Sequence, residues 1–193
     1  MRSKTKLVYG VGVNDACYPT SPVVDGKQVR CIFYKTWQGM IERCYSAKSL
    51  KKRPTYKGCS VCPEWHKFSN FKAWMESQEW EGNELDKDLL VLDNKVYGPD
   101  TCIFVSAKVN TFMTDRKLHR GDLPLGVGTV DKSVKFRARC SNLGTGSKYL
   151  GTFDTAMQAH QAYNVYKAKL AAQLAAMQTD SRISAALLAR YVN

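Results

Sequence analysis

Apolar residues recur every three or four positions in several segments of the chain, a spacing that is typical of helices with one buried face. In the segment IFYKTWQGMIERCYS, the side chains of Phe33, Trp37 and Ile41 share such a face. An aromatic stripe that begins at Trp65 repeats the pattern, and two alanine-rich segments repeat it near the end of the chain. Helices are therefore predicted at residues 32–46, 65–75, 155–178 and 181–191.

Between these helices the pattern predicts short strands and turns. Residues 85–110 predict a strand at Leu85–Leu92, a turn at Asp93-Asn94, and a helix that starts at Gly98-Pro99-Asp100, because proline and aspartate are favoured where helices begin. The later segments LGVGTV, VKFRARC and SKYLGTF predict three strands.

The strand predicted at residues 134–140 alternates between cationic and apolar side chains. Successive side chains of a strand point to opposite faces of the sheet, so Lys135, Arg137 and Arg139 are expected on one face. Val134, Phe136, Ala138 and Cys140 are expected on the other face, against the helix that carries Ala156, Ala159, Ala162 and Tyr163. Three neighbouring cations without an acidic partner favour a polyanion as the ligand of the first face.

Charge and cysteine content narrow the class of protein. The chain has 193 residues, with 29 Lys and Arg against 17 Asp and Glu, a net charge of +12. An excess of this kind attracts phosphate backbones. The sequence shows neither a signal-peptide core nor an apolar run of membrane-spanning length, so we expect a cytoplasmic protein without membrane contact. Seven cysteines without a secretion signal predict reduced thiols or a metal site.

The segment LGTFDTAMQAHQAYN resembles the signature of the ethylene-responsive-factor (APETALA-type) DNA-binding domain. The resemblance implies a three-stranded sheet that enters the major groove of double-stranded DNA and is backed by one helix. Its DNA-facing positions fall on Arg137, Arg139 and Ser141, and its exposed aromatic position falls on Tyr149. We add Lys132, Lys135 and Lys148 as expected DNA contacts. Where the family's first strand carries arginines, this chain reads Leu125-Gly126-Val127-Gly128.

Residues 85–110 resemble the ββα-metal (HNH) nuclease motif. The resemblance implies that Asp86 and Asn110 bind Mg²⁺ or Mn²⁺ and that Asn94 braces the turn. Lys87 stands in the place of the general-base histidine. A protonated lysine cannot accept a proton, so Lys87 either stabilises the phosphate charge while another group acts as the base, or leaves the motif inactive.

The wider pattern is similar to phage-encoded HNH-type homing endonucleases with an APETALA-type domain. It implies an α+β fold in which an N-terminal helical region with a ββα-metal (HNH-like) module precedes a three-stranded antiparallel sheet packed on a helix. The location would then be the host cell cytoplasm. The expected parts are an irregular arm at 1–30, an HNH-like domain at 31–115, a linker at 116–124, an APETALA-type domain at 125–178 and a C-terminal helix at 179–193.

Two further groups of side chains are candidates for binding. Cys59 and Cys62 form a CxxC pair that Cys44 and Cys102 would complete as a structural Zn²⁺ site, whereas buried packing is the competing interpretation. The cationic segment KSLKKRPTYK includes Lys51, Lys52 and Arg53, which are expected either to contact DNA phosphates or to be simply solvated.

The sequence therefore supports three functions. The first is a metal-dependent DNA endonuclease, homing or nicking, that hydrolyses a phosphodiester. The second is a catalytically inactive, sequence-specific DNA-binding protein, a repressor or accessory factor, derived from such a nuclease. The third is an inhibitor or interaction protein aimed at a host factor. The sequence does not fix the oligomeric state, although a monomer is favoured.

Overall fold

The computed structural model describes residues 7–114 and 122–192 and shows an α+β protein. The chain divides into two compact units, unit 1 at Met1–Phe104 and unit 2 at Val105–Asn193. The expected linker at 116–124 lies largely outside the described residues. The helices are α1 (Ile32–Tyr45), α2 (Ala47–Lys52), α3 (Phe68–Glu76), α4 (Ala107–Met113), α5 (Ala156–Ala175) and α6 (Ser181–Tyr191). The strands are β1 (Val23–Val24), β2 (Lys27–Gln28), β3 (Ser60–Val61), β4 (Glu84–Asp86), β5 (Val96–Tyr97), β6 (Ile103–Val105), β7 (Val127–Thr129), β8 (Phe136–Ser141) and β9 (Ser147–Phe153).

The core of unit 1 is aromatic and lies between α1 and α3. Trp37 from α1 is fully buried and stands 5.6 Å, centroid to centroid, from Phe68 of α3. Its indole Nε1 donates a hydrogen bond of 2.7 Å to the carbonyl of Trp65, so the polar atom of this side chain is satisfied. The predicted second helix is divided, because Pro63–His66 form a 3-10 turn and α3 begins only at Phe68.

The segment before α1 is folded onto unit 1, whereas the sequence predicts an irregular arm. Residues 23–28 form the hairpin β1–β2, and Val13 forms a parallel bridge with Lys67. The carboxylate of Asp15 accepts hydrogen bonds from the backbone N–H and the hydroxyl of Ser69, at 2.9 and 2.6 Å. Within residues 7–30, these partners, distant in sequence, satisfy polar groups and hold the chain against unit 1.

Residues 85–110 differ from the prediction in two respects. The strand ends at Asp86, since the Asp86 side chain accepts the N–H groups of the next residues and turns the chain there. The helix predicted from Gly98 is wrong, because the chain makes only a single turn closed on the Gly98 carbonyl before strand β6 begins at Ile103. Strand β6 consists of Ile103, Phe104 and Val105, which are β-branched or aromatic, and it pairs with β4; α4 begins only after the Ser106 cap.

Unit 2 contains the predicted antiparallel sheet, with strand order β7-β8-β9, packed on α5. Ala138 of β8 and Ala159 of α5 are fully buried, and these small side chains let sheet and helix approach closely. A capping box between Thr155 and Gln158 starts α5. Val134 was expected to face inward but is 90% exposed, because it lies in the β7–β8 turn rather than in a strand. No helix of residues 7–114 or 122–192 combines the length and apolarity that a membrane span requires.

Lys167 of α5 is a buried cation in unit 2. Its Nζ donates a hydrogen bond to the carbonyl of Phe112 and lies 3.4 Å from the centroid of the Phe112 ring. Burial lowers the pKa of Lys167 to about 8, against an ordinary value of 10.5, and nearby Arg190 lowers it further while Cys140 opposes the shift. Compared with the unfolded chain, the folded state therefore releases the proton of Lys167 at a lower pH.

We expect this lysine to make unit 2 more stable as the pH rises from about 8 to 10.5. Over that window the unfolded chain holds a proton that the folded chain has released, so the free energy of unfolding gains roughly 3 kcal/mol. The buried thiol of Cys140, whose pKa burial raises, acts in the opposite direction. Urea unfolding of wild type beside Lys167→Met isolates the lysine contribution, with the exposed Lys169→Met as control. Parallel pH profiles for wild type and Lys167→Met would contradict the assignment.

Candidate nucleic-acid interface

The outer face of the unit 2 sheet carries the side chains that the alternation predicts. Arg137, Arg139 and Ser141 of β8 are exposed, while the intervening Ala138 and Cys140 are buried. The N–H and carbonyl groups of β8 pair with strands on both sides, so the two arginines stand in the middle of the face.

A β-bulge brings Tyr149 onto this outer face. The register shifts between Ala138 and Arg139, so that Leu150 of β9 is the extra residue and packs inward. Tyr149 pairs with Arg139, is 53% exposed, and its hydroxyl lies 2.6 Å from the Thr152 hydroxyl. The bulge therefore places a tyrosine ring directly beside an arginine.

Gly128 of β7 makes room for the Arg137 side chain. A Cβ atom at Gly128 would stand 3.3 Å from the Arg137 Nε, which is closer than ordinary van der Waals contact. The side chain of Arg137 therefore lies over the backbone of the neighbouring strand.

Lys135 has an acidic partner, contrary to the expectation of three unpaired cations. Its Nζ lies 3.2 Å from a carboxylate oxygen of Asp154, and both side chains are more than half exposed. An exposed pair of this kind contributes at most about 1 kcal/mol. Within the part of the chain that the structure describes, neither Arg137 nor Arg139 forms an ion pair with a carboxylate.

The other two lysines of unit 2 that are expected to contact DNA, Lys132 and Lys148, lie in different places. Lys132 is exposed in the β7–β8 turn with a left-handed backbone, φ 56°. Lys148 pairs across the sheet with the buried Cys140, and its Nζ lies 4.9 Å above the ring of Tyr166 on α5. Residues directly opposite in a sheet share a face, so Lys148 belongs to the helix side.

In unit 1, Asp86 shapes the loop that follows β4. One carboxylate oxygen accepts two backbone N–H groups, from Asp88 at 2.8 Å and from Leu89 at 2.7 Å. Burial raises the pKa of Asp86, although these two hydrogen bonds lower it, so the net direction disfavours the ionised form. The Asp86 carboxylate therefore already serves a structural purpose, because it accepts two hydrogen bonds that hold the turn.

Lys87 is buried and fully engaged. Its Nζ donates to the carboxylate of Asp88 and, at 2.9 Å, to the carbonyl of Asn94. The Asn94 side chain completes the loop, since its amide donates to the carbonyls of Lys87 and Val96. Lys87 and Asn94 thus hold each other and the loop.

These residues do not fit the divalent metal that the ββα resemblance implies. Asp86 spends one oxygen on the turn, Asp88 is paired with Lys87, and the adjacent buried ammonium repels a dication. Asn110, the other expected ligand, lies on α4. Residues 7–114 and 122–192 contain no group of three or more His, Cys, Asp or Glu side chains arranged to hold a metal.

The four cysteines of the expected zinc site do not come together as a metal-binding group among these described residues. Burial raises the pKa of Cys44 to about 12, and the nearby Cys59 thiol adds to the shift. Burial likewise raises the pKa of Cys102 to about 12, with a smaller contribution from Cys62. Cys44, Cys59 and Cys102 are buried among the apolar side chains of the unit 1 core, and Cys62 packs at its margin. Of the remaining cysteines, Cys17 is exposed, Cys31 is half-buried and Cys140 is buried.

The cationic segment at residues 48–57 contains most of α2 and a 3-10 turn at Pro54–Tyr56. Its five cations are exposed: Lys48, Lys51, Lys52, Arg53 and Lys57. Sequence reasoning missed Arg43, whose guanidinium lies 5.8 Å from the ring of Tyr56 at the end of this segment. Arg43 follows Met40 by three residues in α1, and this spacing alone places it at the margin of the buried face.

Comparison with protein-family models finds no match for this chain, and comparisons with curated proteins and with solved structures find none that is significant. Evidence about function therefore comes from the sites themselves.

Proposed function

We propose that this protein binds double-stranded DNA through the outer face of the unit 2 sheet. The observation that carries the proposal is the pair Arg137 and Arg139, exposed on the middle strand without a carboxylate partner among the described residues. Guanidinium groups bind phosphates and the edges of guanine through paired hydrogen bonds, and an unpaired set of them favours an anionic partner.

The dimensions of the face support a groove as the binding site. Three strands at about 4.8 Å spacing span roughly 10 Å, and the major groove of B-DNA is about 12 Å wide. Arg137 and Arg139 are two residues apart on one strand, so their Cα atoms are separated by roughly 7 Å, close to the distance between successive phosphates of one strand. Tyr149 beside Arg139 adds an aromatic ring for contact with a sugar or a thymine methyl group.

Fluorescence anisotropy with a labelled duplex tests this proposal. The affinity of the wild-type protein is expected to fall steeply with salt, because each phosphate contact releases a counterion. The slope of log affinity against log salt gives the number of contacts, and three or more are expected from the sheet and the other exposed cations. Absence of binding at about 0.1 M salt would refute the proposal.

A second candidate is cleavage of the bound DNA, which the order of elements in the nuclease motif favours. Strand β4 pairs with β6, α4 follows directly, and Asn94 braces the intervening loop. The engaged ammonium of Lys87 opposes a role as proton acceptor. The geometry therefore supports a binding protein derived from a nuclease better than an active endonuclease. Conversion of supercoiled plasmid to nicked or linear forms with Mg²⁺ or Mn²⁺ would instead favour an active endonuclease.

Two substitutions of Asp86 separate its structural role from a catalytic one. Asp86→Asn keeps the oxygen that accepts the two N–H groups, so the free energy of unfolding should change by less than about 1 kcal/mol. Asp86→Ala removes this acceptor and is expected to cost roughly 1–3 kcal/mol. Urea unfolding measures both. Equal stability of the two variants would contradict the role in the turn, and loss of cleavage in the well-folded Asn variant would point to catalysis.

A further inference from the structure

Arg43 places an incompletely paired guanidinium inside unit 1. Its Nε is buried and has no hydrogen-bond partner, and no carboxylate of the described residues forms an ion pair with the side chain. The guanidinium carbon lies 5.8 Å from the Tyr56 ring centroid and 5.6 Å from that of Tyr97. Two aromatic faces thus hold a cation that has no counter-ion.

An arrangement of this kind is costly without an anion. The buried Nε of this half-buried side chain loses its hydration without gaining an acceptor, which costs free energy. Arg43 keeps its charge: burial lowers its pKa, but Tyr97, whose side chain is hydrogen-bonded to it, and Tyr56 raise the pKa by more. A guanidinium has five donors in one plane and suits the oxygens of a phosphate.

The surroundings of Arg43 are cationic. Lys87 Nζ lies 6.0 Å from the centroid of the same Tyr97 ring, and Lys95 Nζ lies 3.5 Å from the carbonyl of Thr55, which precedes Tyr56. Tyr56 itself ends the short turn within the exposed cationic segment at residues 48–57. Lys87 is already paired with Asp88, so the attraction of anions towards the tyrosine pair comes mainly from Arg43, Lys95 and the exposed cations of this segment.

We propose that Arg43, Tyr56 and Tyr97 form a phosphate-binding site, which receives a phosphodiester group of a nucleic-acid strand that runs along the segment 48–57. The phosphate accepts hydrogen bonds from the guanidinium, and the two rings keep the guanidinium in place. The assignment of the phosphate to nucleic acid rests on the proposed function, whereas the affinity for phosphate does not. Unit 1 thereby supplies a contact to DNA that is separate from the sheet face of unit 2.

The first experiment measures phosphate binding alone. All four tryptophans belong to unit 1, so thermal unfolding followed by tryptophan fluorescence reports on this unit. Inorganic phosphate is expected to raise the wild-type midpoint by roughly 4 °C or more over chloride at equal ionic strength. The rise should vanish in Arg43→Met and persist in Arg30→Met, which removes an exposed arginine of the same unit. Equal midpoints of the wild type in the two salts, or an equal rise in Arg43→Met, would overturn the site.

Should Arg43→Met fail to fold, Arg43→Lys supplies the comparison, because it keeps the charge but loses the planar donor fork. Its phosphate-induced rise is expected to fall below half that of the wild type. A full rise in Arg43→Lys would mean that the site has no need of a guanidinium and would overturn the assignment.

The second experiment identifies the source of the phosphate. Arg43→Met is expected to weaken binding of a labelled duplex about tenfold and to reduce the salt slope by about one. A phosphate-induced rise in the midpoint together with unchanged duplex affinity would assign the site to free phosphate and overturn its role in nucleic-acid binding. The double variant Arg137→Ala/Arg139→Ala keeps these tests independent, because failure of the sheet proposal leaves the phosphate-induced rise intact.

Discussion

Replacement of Gly126 by alanine is expected to destabilise unit 2 by roughly 3 kcal/mol or more. Gly126 has a φ of +81°, a region that side-chain-bearing residues rarely adopt, and its added Cβ would stand 2.0 Å from the ring of Tyr163. The ring of Tyr163 cannot move away easily because it is buried on α5, and the backbone of Gly126 cannot shift easily because it leads directly into β7. Far-UV circular dichroism during thermal unfolding measures the effect as a fall of more than about 10 °C in the transition of unit 2.

A matched control separates the clash from the backbone strain. Gly144, in the β8–β9 turn, has a φ of +95°, and its added Cβ would meet nothing within 4 Å. Gly144→Ala should therefore cost only the strain, about 1–2 kcal/mol. Tryptophan fluorescence gives a second control, because it follows unit 1 and should not change in either variant. Equal losses for the two alanine variants would show that Tyr163 does not press on Gly126.

The double substitution Arg137→Ala/Arg139→Ala should weaken binding of duplex DNA on the order of 100-fold or more. Each arginine of a protein–DNA interface contributes roughly 1–3 kcal/mol, and loss of both from one strand removes the centre of the proposed face. Both side chains are exposed, so the stability of unit 2 should stay within about 1 kcal/mol of the wild type. Fluorescence anisotropy over a salt series gives the affinity, and thermal unfolding checks the fold.

Two single variants are controls for this result. Lys135→Ala removes a neighbouring cation that already has Asp154 as its partner, so its effect on affinity should be several times smaller. Lys169→Ala removes an exposed cation from α5, behind the sheet, and should leave the affinity unchanged. A loss in Lys169→Ala as large as in the arginine double variant would mean that net charge, and not the sheet face, governs binding.

Where local pattern and local hydrogen bonding agree, the sequence predicts the elements almost to the residue. Strand β9 coincides with the segment SKYLGTF, and α6 covers Ser181–Tyr191 because Asp180 caps its first turn. The parity of β8 is likewise confirmed at Arg137 and Arg139, since alternation is a property of any strand. These features depend on neighbours in the sequence alone.

The differences arise where a distant or side-chain partner decides. Asp86 ends its strand through its own carboxylate, and Asp154, beyond the strand, neutralises Lys135. The spacing of apolar residues along the sequence predicts neither of these interactions. Arg43 carries no sequence signal beyond its place on α1, because the two tyrosines that hold it come from segments 13 and 54 residues further along the chain. Its role is visible only after folding has brought the three together.

The distribution of the seven thiols has a practical consequence. Cys17 is exposed, whereas the others are buried or half-buried, and a raised pKa further slows the reaction of Cys44 and Cys102 with electrophiles. A maleimide dye at substoichiometric amounts should therefore attach first at Cys17, without any cysteine being removed by mutation. The native chain thus offers a selective position for a fluorophore, far in sequence from the arginines of β8.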